Sequence, residues 1–358
     1  MTRTGFDFAA LHAWSVDDPQ AYWTELLRAL KIHFDSPPQT ILTAGPTWLP
    51  GASLNIAASC FEGREGTDTV LVRNRADGGL AYWSRDELKR RAARVAQGLV
   101  AQGVREGDAV AIDMPMTADS VAIYLGIVWV GGVVVSIADS FAVEEIRTRL
   151  TISQARLVFT QDHILRGDKV LPLYSRVCAA SQVPCVVLAA ANSLAVPLRQ
   201  GDADFASFLA AGDSGLPAYS LGSAQRASNL LFSSGTTGSP KAIPWTQMTP
   251  IKAAADAWAH HDIQPGEVVV WPTNLGWMMG PWLIYASLLN GATIGLFEGS
   301  PLGAPFARFV EEAKVSMLGL VPSLVRAWRA NGALEGCDWS RVRRFSSTGE
   351  ASNPSDMA

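Results

Sequence analysis

The chain has 358 residues, of which 48% are apolar and 17% charged, so it can bury a large core of about two or three structural units. Its formal net charge of -4 at pH 7 gives no basic surface of the kind that nucleic acids need. We find neither a signal sequence nor an apolar run long enough to span a bilayer, so we predict a soluble protein.

The cysteines are scattered along the chain and lack metal-ligand spacing. They are Cys60, Cys178, Cys185 and Cys337. Reduced thiols are therefore predicted, in place of a disulfide framework or a metal site. This indicates the cytoplasm or another reducing compartment.

Residues 1–55 are predicted to form an N-terminal arm. A helix is expected from Pro19 to Leu30. We expect the aromatic side chains of the arm to pack on the core of the protein. They include Trp14, Tyr22, Trp23 and Trp48.

From about residue 69 the pattern alternates between strands and helices. The predicted strands are Val70–Val72, Asp108–Met114, Val133–Ile137 and Arg156–Thr160. Ser84 and Glu87 form a capping box that predicts the start of one helix, and a second helix is expected over Ala118–Val130. The alternation predicts a parallel sheet with helices on both faces.

Asp139, Ser140 and Phe141 follow the third predicted strand directly. In parallel α/β sheets, ligands bind outside the carboxyl ends of the strands. The three residues are therefore candidates for a ligand-binding edge, and a plain turn is the alternative interpretation.

Two later segments have weaker patterns. Residues 161–173 indicate a surface loop before another strand, and they contain Arg166, Gly167 and Lys169. Residues 191–228 are rich in Ala, Gly, Ser and Asp, which is typical of a connection between two halves.

An apolar strand over Leu230–Phe232 leads into a loop of hydroxyl residues and glycines that ends at Pro240 and Lys241. Hydroxyls and backbone N–H groups donate to phosphate oxygens, glycines let the backbone come close, and Lys241 adds a positive charge. We therefore predict a polyphosphate site. It is not the common P-loop, because Lys241 follows Pro240 and precedes Ala242. The alternative, a surface linker, would not normally follow so apolar a strand.

A helix is predicted to start at Thr249, and His260 and His261 at its end are interpreted as non-catalytic. A strand over Glu267–Trp271 follows, and then a turn rich in aromatic and methionine residues, for which core packing is the alternative interpretation. A further strand is expected over Met317–Val321.

Together these segments resemble the adenylate-forming (AMP-binding) acyl-CoA synthetase superfamily. The loop matches the superfamily pattern Ser/Thr-Ser-Gly-Ser/Thr-Thr-Gly-x-Pro-Lys through Lys241 and departs from it at Ala242. The runs at 111–116, 159–162 and 244–247 look like the plant peroxisomal acyl-activating enzymes related to acetyl-CoA synthetase.

The resemblance implies the large N-terminal domain of the adenylate-forming fold, an α/β structure with two parallel-sheet subdomains. We expect the first subdomain at residues 56–220 and a second, incomplete subdomain at 221–358. Because the following parts of the family pattern, including the small C-terminal domain, would lie beyond Ala358, we expect an incomplete portion with negligible adenylation activity.

The resemblance also implies roles for individual residues. The ATP phosphates would be held by Ser233, Ser234, Gly235, Thr236, Thr237, Gly238 and Lys241, with Thr236 and Lys241 as catalytic residues. Adenine would contact Gly349, Glu350 and Ala351, the acyl pocket would contain Trp277, Met278 and Met279, and coenzyme A would contact Arg166, Gly167 and Lys169. No metal ligand is visible.

The sequence departs from the family pattern at three positions in two of these segments. Asn274 replaces the acidic residue of the family's Asp-x-Gly-Trp stretch, and Asp168 stands where the family has Gly. Met279 replaces a small polar residue of the short-chain synthetases, so the identity of the acid does not carry over from the acetate enzymes.

The implied function is an ATP-dependent ligase that activates a carboxylic acid as an acyl-adenylate and transfers the acyl group to coenzyme A. ATP, Mg²⁺ and coenzyme A would be required. Two alternatives stay open: an adenylating enzyme that passes the acyl group to a carrier protein, and a non-catalytic nucleotide-binding fragment.

Overall fold

The computed structural model describes residues 7–43, 45, 47–166, 169–211, 217–233 and 240–357. Within these residues the helices are α1 (Phe8–Asp17), α2 (Pro19–Ala29), α3 (Ile56–Phe61), α4 (Arg85–Ala101), α5 (Ala118–Trp129), α6 (Val143–Ser153), α7 (Leu173–Ala180), α8 (Phe205–Ala210), α9 (Thr249–Ala259), α10 (Met279–Leu288), α11 (Ala304–Glu312), α12 (Pro322–Asn331) and α13 (Pro354–Met357).

The strands within the same residues are β1 (Ser53–Leu54), β2 (Thr69–Asn74), β3 (Leu80–Ser84), β4 (Ala109–Asp113), β5 (Val133–Ile137), β6 (Leu157–Gln161), β7 (Ile164–Arg166), β8 (Lys169–Leu171), β9 (Cys185–Leu188), β10 (Ala203–Asp204), β11 (Gly222–Ser223), β12 (Ala227–Ser233), β13 (Lys241–Thr246), β14 (Val268–Val270), β15 (Thr293–Leu296), β16 (Val315–Leu320) and β17 (Arg344–Ser347).

The first large sheet has the strand order β10-β9-β6-β4-β5-β12-β13. Its neighbours are parallel except for the final pair, in which β13 runs antiparallel to β12. Every residue of β5 is buried, as expected for an interior strand of a parallel sheet covered on both faces. Pro244 lies in β13, where an edge strand tolerates a residue without an N–H donor.

The second large sheet has the order β17-β16-β14-β15-β2-β3, again parallel apart from its last pair. Its membership does not follow the order of the strands along the chain. Strands β2 and β3 pair into this second sheet, whereas β12 and β13 belong to the first sheet. A hydrophobic pattern identifies a strand without identifying its partner, so the boundary between sheets was not readable from the sequence.

The two sheets share one apolar core, which is built mainly by helices packed between them. Leu88 of α4, Ile123 of α5, Ile251 of α9 and Leu283 of α10 are all fully buried in it. Tyr124 and Tyr285 meet edge to face across this core, with ring centroids 5.9 Å apart. The core therefore holds the carboxyl ends of both sets of parallel strands in fixed positions relative to each other.

Several local predictions are confirmed. The capping box forms, since Ser84 N donates to the Glu87 carboxylate at 2.6 Å and Glu87 N donates back to Ser84 Oγ at 3.3 Å. In the arm, Trp23 and Trp48 meet edge to face at 4.8 Å against the core.

The four cysteines are free thiols. Among the described residues, none of the helices is long and apolar enough to cross a membrane.

Candidate functional site

The carboxyl edge of the first sheet contains a point where the chain changes direction. From β4 the chain enters α5, which packs in the core between the sheets, whereas from β5 it enters α6 on the opposite face. Strand β4 lies between β5 and β6. The connection from β4 to β5 therefore crosses one face of the sheet, and the connection from β5 to β6 crosses the other. Such a switch point opens a crevice at the strand ends, where α/β proteins bind ligands.

Two aspartates lie at this crevice. Asp113 ends β4 and shares the strand face of Ala111, because alternate residues of a strand point to the same side. Asp139 lies in the turn that follows β5, two residues beyond its last residue, Ile137. The Asp113 carboxyl group therefore extends the apolar face that α6 and α7 cover, and both aspartates are buried.

The buried carboxyl group of Asp113 lacks hydrogen-bond partners among the described residues. Its side chain is fully buried, and neither carboxyl oxygen has a hydrogen-bond partner among the described residues. Burial raises the pKa of Asp113 well above its usual value and the charge of Asp139 raises it further, while Arg176 on α7 acts in the opposite direction. We expect Asp113 to be protonated at neutral pH, because an unpaired buried carboxylate would be costly.

This assignment predicts how stability depends on pH. Because the folded-state pKa of Asp113 is raised, folding binds a proton, and the resulting stability is lost as the pH rises through that pKa. We expect Asp113→Asn, which cannot ionise, to have a melting temperature that falls less between pH 5 and pH 9 than that of the wild type. Thermal unfolding followed by circular dichroism measures this. The exposed Glu312→Gln serves as the control, and parallel wild-type and Asp113→Asn curves would contradict the assignment.

A turn from the second sheet, residues 274–279, reaches this edge and is called the 274–279 turn below. Asn274 Nδ2 donates to Asp139 Oδ1 at 3.1 Å, and Asn274 Oδ1 accepts from Gly276 N at 2.9 Å. Gly276 lies directly on the end of β5, since a Cβ placed on it would be 2.2 Å from Ala138 N. Only a glycine permits this approach.

Aromatic contacts surround the same turn. Trp277, which is half exposed, meets Phe141 edge to face at 5.8 Å. The guanidinium of Arg149 lies 3.9 Å from the Phe141 ring centroid and 5.5 Å from that of Phe232. Arg149 is buried, and its Nε has no partner among the described residues. Because Phe232 immediately precedes the predicted phosphate loop, these contacts connect the 274–279 turn to the base of that loop.

The predicted phosphate loop closes a hairpin. Ser233 pairs with Lys241 across β12 and β13, so the loop begins and ends at one pair of residues on the carboxyl edge. Lys241 is exposed there. The predicted contacts Ser234, Gly235, Thr236, Thr237 and Gly238 lie outside the described residues, and their roles stay predictions.

The predicted coenzyme A contacts lie on a short hairpin, which replaces the expected surface loop. Arg166 pairs with Lys169 across β7 and β8, and Lys169 is exposed. Gly167 lies outside the described residues, and so does Asp168. At the base of this hairpin the buried Asp162 accepts from the backbone N–H groups of His163, Ala190 and Ala195 at 2.7, 2.9 and 2.9 Å. Asp162 therefore ties the hairpin to the segment after β9.

The predicted adenine segment follows β17. Gly349 has φ +86°, a left-handed backbone that favours glycine. The Glu350 carboxylate accepts from Ser323 N at 3.0 Å and Ser323 Oγ at 2.6 Å, so it satisfies a free donor at the start of α12. Ala351 is exposed. These contacts fix the segment, and its role towards adenine stays a prediction.

The remaining candidate residues lie at the start of α10 and at the end of α9. Met278 is exposed, and Met279 begins α10. His260 is the C-cap of α9, and His261 Nε2 contacts Ser346 Oγ at 3.0 Å. Burial lowers the pKa of His261, which favours a neutral ring. Within the described part of the chain, no three His, Cys, Asp or Glu residues gather as a metal site would require.

The sequence identified Asp139 and Phe141 as edge residues. It did not identify Asp113 or Arg149, or show that Asn274 contacts Asp139. The signal for Asp113 was present, because an acidic residue closes an otherwise apolar strand. The partnership of Asn274 and Asp139 had no local signal, since 135 positions separate them along the chain.

Comparison with known proteins gives two matching family profiles and several relatives. The sequence profile described as AMP-binding enzyme matches residues 62–358, and the profile described as acetyl-coenzyme A synthetase N-terminus matches residues 8–60. Hexanoyl-CoA synthase from Cannabis sativa is 48% identical over 97% of this chain and 51% of its own length. Probable acyl-activating enzyme 17, peroxisomal, from Arabidopsis thaliana is 48% identical over 97% of this chain and 50% of its own length.

Solved structures agree with these sequence matches. Acetoacetyl-CoA synthetase from Streptomyces lividans superposes with a TM-score of 0.88 at 28% identity, over 99% of this chain and 57% of that one. The expected α/β architecture with two parallel sheets is confirmed, apart from the antiparallel strand at one edge of each sheet. The chain spans about half the length of the curated relatives it matches.

Proposed function

The chain belongs to the AMP-binding enzyme family, and from that membership we propose that it forms the N-terminal half of an ATP-dependent acyl-CoA synthetase. The complete enzyme would activate a carboxylic acid as an acyl-adenylate, release pyrophosphate, and transfer the acyl group to the thiol of coenzyme A with release of AMP. The proposal applies to the complete protein.

The chemical difficulty of the first step is electrostatic, because a carboxylate must approach the polyanionic phosphates of ATP. Fixed donors and positive charge around the phosphates reduce that repulsion. The sequence of the loop between Ser233 and Lys241 contains hydroxyl donors and ends in a lysine. Its two ends are held together by strand pairing, which supports a role in gripping the β- and γ-phosphates, with Thr236 and Lys241 as catalytic residues.

The other contacts are proposed on the same basis. Adenine is bordered by Gly349, Glu350 and Ala351, and coenzyme A phosphates are held by Arg166 and Lys169 with Gly167 between them. The acyl group lies beside Trp277, Met278 and Met279. The exposure of Trp277 and Met278 supports an apolar acyl group, as does the name of the hexanoyl-CoA synthase relative.

ATP enters as its magnesium complex in this proposal, and Mg²⁺ comes with the substrate. The described residues do not supply a set of metal ligands of their own, so no step of the reaction is assigned to a metal held by this chain. A peroxisomal location is proposed for a eukaryotic source, supported by the names of two Arabidopsis thaliana relatives. The cytoplasm is proposed otherwise.

One observation carries the proposal: the AMP-binding profile matches residues 62–358, a range that contains every contact proposed above. The test measures acid-dependent pyrophosphate exchange and thioester formation by the full-length gene product, with short and medium straight-chain acids. We expect thioester with coenzyme A from the full-length product. We expect negligible exchange from residues 1–358 alone.

Two results would contradict the proposal. A full-length product that neither exchanges pyrophosphate nor forms thioester with any acid of the panel would exclude the ligase. Exchange at a normal rate by residues 1–358 alone would exclude the assignment of this chain as one half of the machinery.

A further inference from the structure

A side-chain hydrogen bond joins the 274–279 turn to the end of the first sheet. Asn274 uses both ends of its amide, since Nδ2 donates to Asp139 Oδ1 at 3.1 Å while Oδ1 accepts from Gly276 N at 2.9 Å. Asp139 is 5% exposed, so the contact lies in a region where a hydrogen bond to a charged group is strong. This charge-assisted bond and the close approach of Gly276 both hold the turn at the end of β5.

The surrounding charges explain why position 274 is an amide in this chain. Asp139 needs a donor, and Asp113 beside it is fully buried without a partner among the described residues. An aspartate at 274 could still accept from Gly276 N, but it would bring a third carboxyl group to this edge and lose the donor to Asp139. Arg176, whose Nη1 contacts the Asp139 carbonyl at 3.5 Å, is the basic group that faces the pair from α7. Asn274, which replaces the acidic residue of the Asp-x-Gly-Trp pattern, therefore has Asp139 as its hydrogen-bond acceptor.

The bond determines where Trp277 lies. Trp277 N donates to Asn274 O at 3.2 Å, so the residue that contacts Asp139 also begins the turn that carries the indole. The indole meets Phe141, and Phe141 lies two residues after Asp139. Displacing Asn274 from Asp139 should therefore separate the Trp277 and Phe141 rings.

We infer that Asp139 and Asn274 are a positioning pair, in which the carboxylate and the amide seat the 274–279 turn on β5 and thereby set the wall of the acyl site formed by Trp277. The inference rests on the proposed function in one respect, namely that Trp277 borders an acyl-binding site. The positioning itself is a property of the chain without ligand.

The test uses residues 1–358 labelled with 5-fluorotryptophan and fluorine NMR, with the Trp277 resonance assigned from the Trp277→Phe spectrum. Asn274→Asp keeps the bond from Gly276 N and changes only the contact with Asp139. We expect loss of the native Trp277 resonance in this variant, with a larger effect at pH 8 than at pH 5, because a protonated carboxyl can donate again. Asp139→Asn is the conservative control, since its side-chain oxygen can still accept from Asn274.

The double variant Asn274→Asp/Asp139→Asn reverses donor and acceptor, and we expect it to restore the native resonance and the melting temperature. Unchanged Trp277 resonance in Asn274→Asp at both pH values, or a double variant that stays displaced, would overturn the inference. If Asn274→Asp does not fold, the test uses Asp139→Ala, which removes only the carboxylate that accepts from Asn274. The Trp277 resonance must then be displaced in that variant. These spectra need no substrate, so they decide the positioning even if the full-length product fails the thioester assay.

Discussion

Replacing Lys241 by Met is expected to weaken ATP binding to residues 1–358 about 10- to 100-fold, because a hydrogen bond to a charged group contributes about 1.5–3 kcal/mol. Lys241 is exposed at the end of the hairpin loop, opposite Ser233. Its ammonium group is free to reach a phosphate, and the substitution removes that charge while keeping much of the side-chain length. Isothermal titration calorimetry with magnesium ATP measures the change.

Lys252→Met is the matched control for this prediction. Lys252 is also an exposed lysine, but it lies on α9 and pairs with Asp256 four residues along the same helix. We expect its variant to bind ATP like the wild type. Equal ATP affinities for Lys241→Met and the wild type would contradict the assignment of Lys241 to the phosphates.

Replacing Gly276 by Ala is expected to destabilise the chain by about 3 kcal/mol, the upper end of the usual range for overpacking. The added methyl group would lie 2.2 Å from Ala138 N and 2.4 Å from Ala138 Cα. These are backbone atoms, which cannot rotate away as the end of a side chain can. The 274–279 turn must therefore lift from β5, and the bond from Asn274 to Asp139 is lost with it.

Denaturant unfolding of the Gly276→Ala variant measures this loss of stability. Gly45→Ala makes the same chemical change where the nearest atom, Thr43 Oγ1, is 3.9 Å from the added carbon. We expect that variant to unfold like the wild type. A Gly276→Ala midpoint equal to that of Gly45→Ala would show that the close approach is absent in solution.

Much of the fold could be predicted because buried parallel strands and capped helices have strong local signals. Strand β5 matches its predicted bounds, Val133–Ile137, since a continuous run of apolar residues fits a strand covered on both faces. The helix after Ser84 was identified by its capping box. Strand β13 was missed, because Pro244 and an exposed edge give it the composition of a loop.

The site could be predicted only where its residues are contiguous. The phosphate loop is a run of neighbouring positions, so its pattern is visible in the sequence. Asp113, Asp139 and Asn274 come from two sheets, and nothing local relates an amide to a carboxylate 135 positions away. The pairing of β2 with β15 was hidden for the same reason, because side-chain periodicity does not identify the neighbouring strand.

The central claim is that the loop between Ser233 and Lys241 grips the phosphates of a nucleotide. Amide hydrogen exchange of residues 1–358, followed by mass spectrometry with and without magnesium ATP, tests this claim most directly. We predict slower exchange in peptides that cover 233–241, with no change over α11 (Ala304–Glu312), which contains none of the proposed ATP contacts. Unchanged exchange over 233–241 at an ATP concentration that saturates the calorimetric signal would contradict the account.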